Sequence, residues 1–304
     1  MTDLLRKPTL IAAMATPLDA ALRPDADLLL QRCRALIAEG CDGVALFGTT
    51  GEGPHLTVEH RQQALQALVE GGLPPSRLVV SASALALPDA VALGRHAAGL
   101  GVGPILLMPP FFLRGATRPG GVERFIDLFI ERCAAPRLAL LLYHFPEITG
   151  FGFAPELIGR LVERYGPAIA GVKDSGGDWD HTLRLIQGFP GLAILTGTEV
   201  HLPQALAAGA AGTICGLGNV MPALLRRLID RPDAAHRLVP QIQAIDDLIS
   251  AHPFIPAVKA VAATLTGRRD WRRVTPPLEP LDEAATAALG AAVQARLAAA
   301  MAEA

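Results

Sequence analysis

The chain has 304 residues, of which 51% are hydrophobic and 18% are charged, so it has ample material for a buried core. A formal net charge of −2 at pH 7 gives no electrostatic case for binding nucleic acid or an anionic membrane. The four cysteines form no C-x-x-C pair and the eight histidines show no H-E-x-x-H spacing, which argues against a metal site. We therefore expect a cytoplasmic protein that binds neither nucleic acid nor a membrane.

Short apolar runs recur along the chain, and segments with helical periodicity separate them. The runs are continuously apolar rather than alternating, which is typical of parallel strands covered on both faces. We predict strands at 10–14, 43–47, 78–81, 105–108, 138–143, 169–173, 193–196 and 212–215. The clearest helices between them are 25–39, 58–69, 89–100, 122–132 and 155–165. Thr57 precedes the second of these helices as an N-cap, and Pro155 opens the fifth.

These eight β/α units predict an α/β fold, namely a (β/α)8 TIM barrel. A doubly wound open sheet is the alternative, but no G-x-G-x-x-G motif follows the first strand. Beyond the barrel the chain is alanine-rich and helical, at roughly 239–250, 256–266 and 282–303. We therefore assign residues 1–235 to the barrel and residues 236–304 to a C-terminal helical extension packed on it.

Lysine is the rare cation of this chain, because among 27 lysines and arginines it stands only at positions 7, 173 and 259. Arginine stays protonated, whereas a desolvated lysine can lose its proton and attack a carbonyl. Lys173 ends the apolar run 169–173, so we expect its amine to lie half buried at a strand end. This position favours Schiff-base chemistry, and a lysine that snorkels to solvent is the alternative.

In a barrel of this kind the reactive side chains lie at the carboxyl ends of the strands. The second strand leads into GTTGE at 48–52, where Thr49 and Thr50 offer hydroxyls and exposed N–H groups to a small carboxylate. The fifth strand delivers Tyr143, which can move protons, and the sixth delivers Lys173. A tight glycine turn and a core tyrosine are the structural alternatives for these positions.

Three motifs resemble, in order and spacing, the signatures of the dihydrodipicolinate synthase / N-acetylneuraminate lyase family. They are GTTGE at 48–52, Y-x-x-P at 143–146 and GVKD at 171–174. Members of that family are (β/α)8 barrels with a C-terminal helical extension, commonly homotetramers, and are class I aldolase-type enzymes. The resemblance implies a homotetramer or homodimer that acts on a small 2-keto acid. It implies no cofactor, because a covalent lysine imine is the electron sink.

The same resemblance implies roles for individual residues. Lys173 forms a Schiff base with the C2 carbonyl of pyruvate or another 2-keto acid, and Tyr143 relays protons. Thr49 and Thr50 hold the carboxylate, and the remaining substrate-binding residues are Gly51, Gly197 and Ile214. In the sialic acid lyase branch a histidine follows the tyrosine, so His144 is a candidate contact for a substrate hydroxyl. A histidine hydrogen-bonded beneath the strand end is the alternative for that residue.

Two positions depart from the synthases of this family. The synthases carry an arginine five residues after the catalytic tyrosine, for the second substrate's carboxylate, and this chain has Ile148 there. They also carry a tyrosine that reaches across a subunit interface, where this chain has Phe112. Isoleucine cannot bind a carboxylate and phenylalanine has no hydroxyl to relay a proton, so synthase activity for lysine biosynthesis is not expected.

Other sequence details favour sugar-acid chemistry. GEGP at 51–54 and TPPLEPL at 275–281 resemble the 2-keto-3-deoxygluconate aldolase branch. We therefore rank first a lyase that cleaves 2-keto-3-deoxy sugar acids. A sugar-acid dehydratase, or a dihydrodipicolinate synthase-like enzyme that uses the same imine, comes second. A non-catalytic barrel that binds a keto acid is a further alternative, motivated by Phe112 and Ile148.

Overall fold

The computed structural model describes residues 3–5 and 8–303, apart from the side chain of Glu303. Within this part of the chain, eight parallel strands close into a barrel, in which each strand pairs with the next and the last pairs with the first. The strands are β1 Thr9–Ala13, β2 Gly43–Leu46, β3 Leu78–Ser81, β4 Ile105–Leu107, β5 Leu140–His144, β6 Ile169–Asp174, β7 Ala193–Thr196 and β8 Gly212–Cys215. The predicted (β/α)8 barrel is thereby confirmed.

Helices follow the strands and cover the outside of the barrel. They are α1 Ala26–Ala38, α2 Val58–Glu70, α3 Leu87–Gly99, α4 Pro119–Cys133, α5 Pro146–Thr149, α6 Pro155–Tyr165, α7 Trp179–Gly188, α8 Leu202–Ala208 and α9 Pro222–Asp230. The side chains of Asp25, Thr57 and Asp178 accept backbone N–H groups at the starts of α1, α2 and α7. Such caps satisfy donors that have no partner inside the helix.

Every strand is buried on both faces, which is why the strands read as continuous apolar runs. Neighbouring side chains along a strand point to opposite sides, so Leu141 and Tyr143 join one core cluster while Leu142 joins the other. The cluster that contains Tyr143 fills the barrel interior. Lys173 pairs in register with Tyr143 and therefore faces the same interior.

The C-terminal extension consists of α10 Ala235–Ser250, α11 Phe254–Thr266 and α12 Glu283–Glu303. Helices α11 and α12 approach closely at Gly290, where an added Cβ would lie 2.2 Å from Oγ1 of Thr264. The division of the chain at 235/236 stays a prediction, and its end residues 1, 2 and 304 lie outside the described residues.

Some element bounds differ from those predicted. The fifth strand begins at Leu140 rather than 138, next to a register shift between Leu140 and Leu141 where it pairs with β6. Helix α3 begins at Leu87 because Pro88 suits a first helical turn, in which its missing N–H is no loss. The one-turn helix α5 was not predicted, since a single turn leaves no periodic pattern in the sequence.

Among the described residues, α12 is long and apolar enough over Glu283–Ala302 to cross a membrane by length and composition alone. The bent pair Pro232–Ser250 and Phe254–Thr266 passes the same test when the two helices are taken together. Alanine accounts for much of the apolar character of α12. One side of this helix, with Leu289 and Val293, is buried in the main hydrophobic core.

Replacement of two glycines by alanine should change the free energy of unfolding in opposite directions. A Cβ on Gly171 in β6 would lie 2.0 Å from the carbonyl oxygen of Ala193, so Gly171→Ala must push β6 from β7 and should cost about 1–3 kcal/mol. Gly159 lies inside α6, and the nearest atom to an added Cβ is 3.9 Å away, so Gly159→Ala should add about 0.5–1 kcal/mol. Urea unfolding followed by circular dichroism measures both, and equal shifts of the same sign would contradict this packing.

Candidate active site

A cavity of about 380 Å³ opens at the carboxyl end of the barrel. Its polar side comes from the ends of β2, β5, β6 and β7, and an apolar side comes from the start of α11 and the segment before α12. The cavity is lined by Thr49, Thr50, Tyr143, Phe145, Ile148, Lys173, Ser175, Gly197, Glu199, Ile214, Gly216, Pro253, Phe254, Ile255, Pro256 and Leu278. Six of the eight predicted catalytic and substrate-binding residues belong to this lining; Gly51 and His144 do not.

Lys173 stands near the end of β6 and is only 5% exposed. Its partner in the strand register is Tyr143 of β5, and its Nζ lies 4.2 Å from the centroid of the tyrosine ring. This distance suits contact between an ammonium group and an aromatic face. Strand pairing therefore places an amine and a phenol side by side in the same cavity.

The Tyr143 hydroxyl has a second polar neighbour. Its Oη lies 3.3 Å from Oγ1 of Thr49, and either hydroxyl can be the donor. Tyr143 is 2% exposed and Thr49 is partly buried, so this hydrogen bond is partly shielded from bulk water. Two hydroxyls in contact beside an amine form a short path along which a proton can move.

The turn after β2 is held in an unusual backbone conformation. Phe47 and Glu52 have φ of +57° and +54°, in the left-handed region that costs a non-glycine residue about 1–2 kcal/mol. A Cβ on Gly53 would lie 1.7 Å from the carbonyl oxygen of Phe47, so glycine is required at that position. This tight turn presents Thr49 and Thr50 to the cavity. Gly51, predicted to bind substrate, lies behind them.

His144 lies outside the cavity lining, because β5 directs Tyr143 inward and His144 outward. Its Nδ1 accepts a hydrogen bond from the backbone N–H of Phe153 at 3.0 Å, and its ring stacks on His181 with centroids 4.0 Å apart. Burial lowers the pKa of His144 to about 4, so the ring is neutral near pH 7. The geometry matches the alternative of a histidine held beneath the strand end, and the structure gives no support to a substrate contact.

Behind Lys173, the Asp174 carboxylate is buried and fully engaged. Its Oδ2 accepts from Nδ1 of His181 at 2.8 Å and from Oγ1 of Thr182 at 2.9 Å. Nε2 of His181 lies 2.9 Å from the carbonyl oxygen of Phe153, so both ring nitrogens can donate. Burial opposes both charges, yet the hydrogen bond between them raises the pKa of His181 and holds that of Asp174 below its ordinary value.

The ligand atoms of His144, Asp174 and His181 lie within 4.8 Å of one another, a spacing that could hold a metal ion. The hydrogen bonds just described already engage Nδ1 of His144, both ring nitrogens of His181 and Oδ2 of Asp174, and Oδ1 of Asp174 accepts from the backbone N–H of Gly176 at 3.0 Å. A metal would have to replace these bonds rather than complete them. That this protein has no metal site therefore stays a prediction. The three residues do not contradict that prediction, because their ligand atoms are already hydrogen-bonded.

The lining also contains residues to which the sequence analysis gave no role. Ser175 directly follows β6, and Glu199, which the sequence already placed after the seventh strand, stands three residues beyond the end of β7, so a place after a strand end was a usable signal for both. The apolar residues of α11 gave no such signal, because contacts between the extension and the barrel rim are distant in sequence. Of the two departures, Ile148 lines the cavity, whereas Phe112 is 78% exposed and does not.

Glu199 carries the carboxyl group of the cavity lining, and its pKa is strongly shifted. Burial raises its pKa to about 7, and the nearby Asp246 of α10 adds to the effect. Its Oε1 accepts from the backbone N–H of Leu217 at 3.1 Å. The cavity therefore gains a negative charge as pH rises through neutrality.

A model of the dihydrodipicolinate synthetase family matches residues 7–296. An uncharacterized DapA-like lyase of Chloroflexus aurantiacus is 36% identical over 292 residues, which are 94% of this chain and 95% of that protein. The crystal structure of dihydrodipicolinate synthase from Agrobacterium tumefaciens is 30% identical, with a TM-score of 0.88 over 95% of this chain and 99% of its own. KD(P)GA from T. tenax, at 22% identity and a TM-score of 0.85 over 96% of this chain and 99% of its own, shares the fold.

The ionisation of Glu199 predicts a pH effect on anion binding. Its carboxyl group is neutral below about pH 7 and charged above it, so pyruvate affinity should fall by about tenfold between roughly pH 6 and pH 8. Glu199→Gln stays neutral and should flatten this dependence. Isothermal titration across the pH range measures it, with the exposed Glu147→Gln as matched control. An unchanged pH profile in Glu199→Gln would assign the effect to another group.

Proposed function

The chain belongs to the dihydrodipicolinate synthetase family, and on this premise we propose that it is a Schiff-base-forming lyase of 2-keto-3-deoxy sugar acids that releases pyruvate. Enzymes of this family are lyases, so the reaction class follows from membership. The observation that carries the finer proposal is the cavity that joins the Lys173 amine, the Tyr143 phenol and the Thr49 hydroxyl.

In the proposed reaction the Lys173 ammonium group first loses a proton to solvent, and the neutral amine then attacks the C2 carbonyl of the substrate. The carbinolamine loses water to give a protonated imine, and Tyr143 donates and recovers the protons in this step. A base then removes the C4 hydroxyl proton, the C3–C4 bond breaks, and its electron pair enters the imine as an enamine. The aldehyde leaves, C3 takes up a proton, and water releases pyruvate from Lys173.

The Thr49–Thr50 turn is the proposed carboxylate site. Both threonines line the cavity close to the amine, and their hydroxyl and backbone N–H groups are suitable donors for an anion. A 2-keto acid bound there by its carboxylate would direct its C2 carbonyl toward Lys173. The imine itself is the electron sink, so the proposal needs no cofactor.

The other residues of the cavity favour a substrate with a polyhydroxylated tail and disfavour a substrate with a second carboxylate. Ile148, Phe254 and Leu278 make this region apolar, and none of them can bind a carboxylate. Ser175 and Glu199 supply the hydroxyl and carboxyl groups that a polyhydroxylated chain needs for its hydrogen bonds. A dehydratase would start from the same imine and differ in the bond that the enamine chemistry breaks.

We further propose that the enzyme is a cytoplasmic homodimer or homotetramer. Leu85, Phe112 and Leu113 are 49%, 78% and 66% exposed and line a shallow pocket of about 370 Å³. Large apolar side chains that cluster on a surface are typical of subunit contacts. Phe112 would lie in such a contact, and it does not line the cavity of its own chain.

Trapping the imine tests the proposed chemistry. Wild-type protein incubated with pyruvate and sodium borohydride should gain one pyruvyl group on the peptide that contains Lys173, because the reductant fixes the imine as an amine. Lys173→Ala should gain none at that position, and Lys173→Arg keeps the charge without the nucleophile. Peptide mass spectrometry measures the adduct. A wild-type protein without adduct, or an adduct on another lysine, contradicts the Schiff-base assignment.

A charge in the exposed apolar patch tests the proposed assembly. Leu113→Glu should shift the protein from dimer or tetramer toward monomer, since an unpaired carboxylate is poorly tolerated in an apolar contact. Sedimentation velocity measures the change, and Glu147→Gln, at an exposed position outside the patch, serves as control. A wild-type monomer at micromolar concentration would disprove the assembly.

A further inference from the structure

Lys259 is a buried lysine for which the mechanism above has no role. It lies in α11, and its side chain has no exposed surface. Its Nζ donates to Oε1 of Glu52 and, at 2.6 Å, to the carbonyl oxygen of Arg273. An ion pair with no solvent contact persists in a fold only when further hydrogen bonds compensate for the lost hydration.

Those further bonds come from the C-terminal extension. The second carboxylate oxygen of Glu52, Oε2, accepts from the backbone N–H of Thr275 at 2.6 Å and from its hydroxyl at 2.7 Å. The Thr275 hydroxyl donates its one proton to Glu52. In its 2.9 Å contact with Nδ1 of His55 the hydroxyl oxygen is therefore the acceptor, and Nδ1 is the donor. Both oxygens of Glu52 are thus bound to residues that lie more than 200 positions away.

Glu52 also belongs to the turn that presents the threonines. Its backbone N–H donates to the carbonyl oxygen of Thr49 at 3.0 Å, and the next residue, Gly53, donates to that of Gly48 at 3.1 Å. Its φ of +54° is unfavourable for a residue with a side chain, so contacts from outside the turn must stabilise this backbone conformation. The contacts with Lys259 and Thr275 provide that stabilisation.

The pair has an electrostatic effect as well. Glu52 follows Thr50 by two residues, so an unpaired carboxylate there would repel an anion held by the threonines. Lys259 neutralises that charge without exposing its own amine to the cavity. If Lys259 only supported the turn by its contacts, anion binding at the threonines would not depend on whether Glu52 carries a charge.

We propose that Lys259 and Glu52 are positioning residues for the substrate carboxylate, through which the C-terminal extension holds the Thr49–Thr50 turn in its binding shape and cancels its negative charge. The proposal rests on the proposed function, because it takes the two threonines as the carboxylate site. It assigns a binding role to a helix outside the barrel.

The test uses imine trapping as a binding measurement, with the full-length chain. Borohydride trapping at increasing pyruvate concentration gives a half-saturating concentration and a plateau. The variants are Lys259→Met and the double variant Glu52→Gln/Lys259→Met. Ile245→Ala, at a fully buried position in the neighbouring helix α10, is the matched control for loss of stability in the extension.

In Lys259→Met the half-saturating pyruvate concentration should rise by about tenfold, while the trapped fraction of Lys173 at the plateau stays as in wild type. In the double variant the half-saturating concentration should lie between those of wild type and Lys259→Met. Its turn lacks the ion pair that holds it, but residue 52 no longer carries a negative charge that repels pyruvate. Ile245→Ala should melt at lower temperature with unchanged half-saturation. If Lys259→Met does not fold, the double variant decides, since exchange of a whole buried pair is tolerated better than loss of one partner.

Wild-type half-saturation in a folded Lys259→Met or double variant would overturn the proposal. An equal rise in Ile245→Ala would also overturn it, because the effect would then follow from stability alone. Failure of the proposed function looks different, since no variant and no wild-type protein would then trap pyruvate on Lys173.

Discussion

The register between β5 and β6 is the constraint on which the site depends. It pairs Tyr143 with Lys173 and His144 with Asp174, so amine and phenol face the barrel interior while histidine and carboxylate face the helices. A slip of one residue would exchange the two faces, because the side-chain period of a strand is two. The barrel enforces this register from both edges, since β6 also pairs with β7 and, in the described part of the chain, each strand of the closed barrel has a neighbour on both sides.

Two buried carboxylates support the site, Asp174 at the end of β6 and Glu52 in the turn after β2, and each is satisfied differently. Asp174 is held by His181 and Thr182 from α7, close along the chain, and so keeps the end of β6 fixed against its own following helix. Glu52 is held by Lys259 and Thr275 from the far end of the chain. A buried ion pair contributes little net stability once desolvation is counted, so its value here lies in geometry.

The sequence predicted the strands, the helices and the residues at the strand ends. It did not predict the contacts between the barrel and the C-terminal extension. Helix α6 was predicted with its observed bounds, and Lys173, Tyr143 and the two threonines were placed together because strand ends of a barrel must meet. His144 was made a candidate substrate contact by the resemblance to the sialic acid lyase branch and not by strand alternation, which directs it outward. Phe254 and Lys259 could not be placed, because helical periodicity gives the buried side of a helix without naming what that side contacts.

The start of α11 forms part of the cavity wall, where Phe254 packs so tightly that a Cβ on Gly216 would lie 2.5 Å from its ring. The extension is therefore part of the pocket, although the eight strands carry the reactive groups. In evolutionary terms, the two parts can diverge at different rates. Exchange of the extension between relatives would alter the apolar wall of the pocket, while Lys173 and Tyr143 on the barrel strands pass unchanged from parent to descendant.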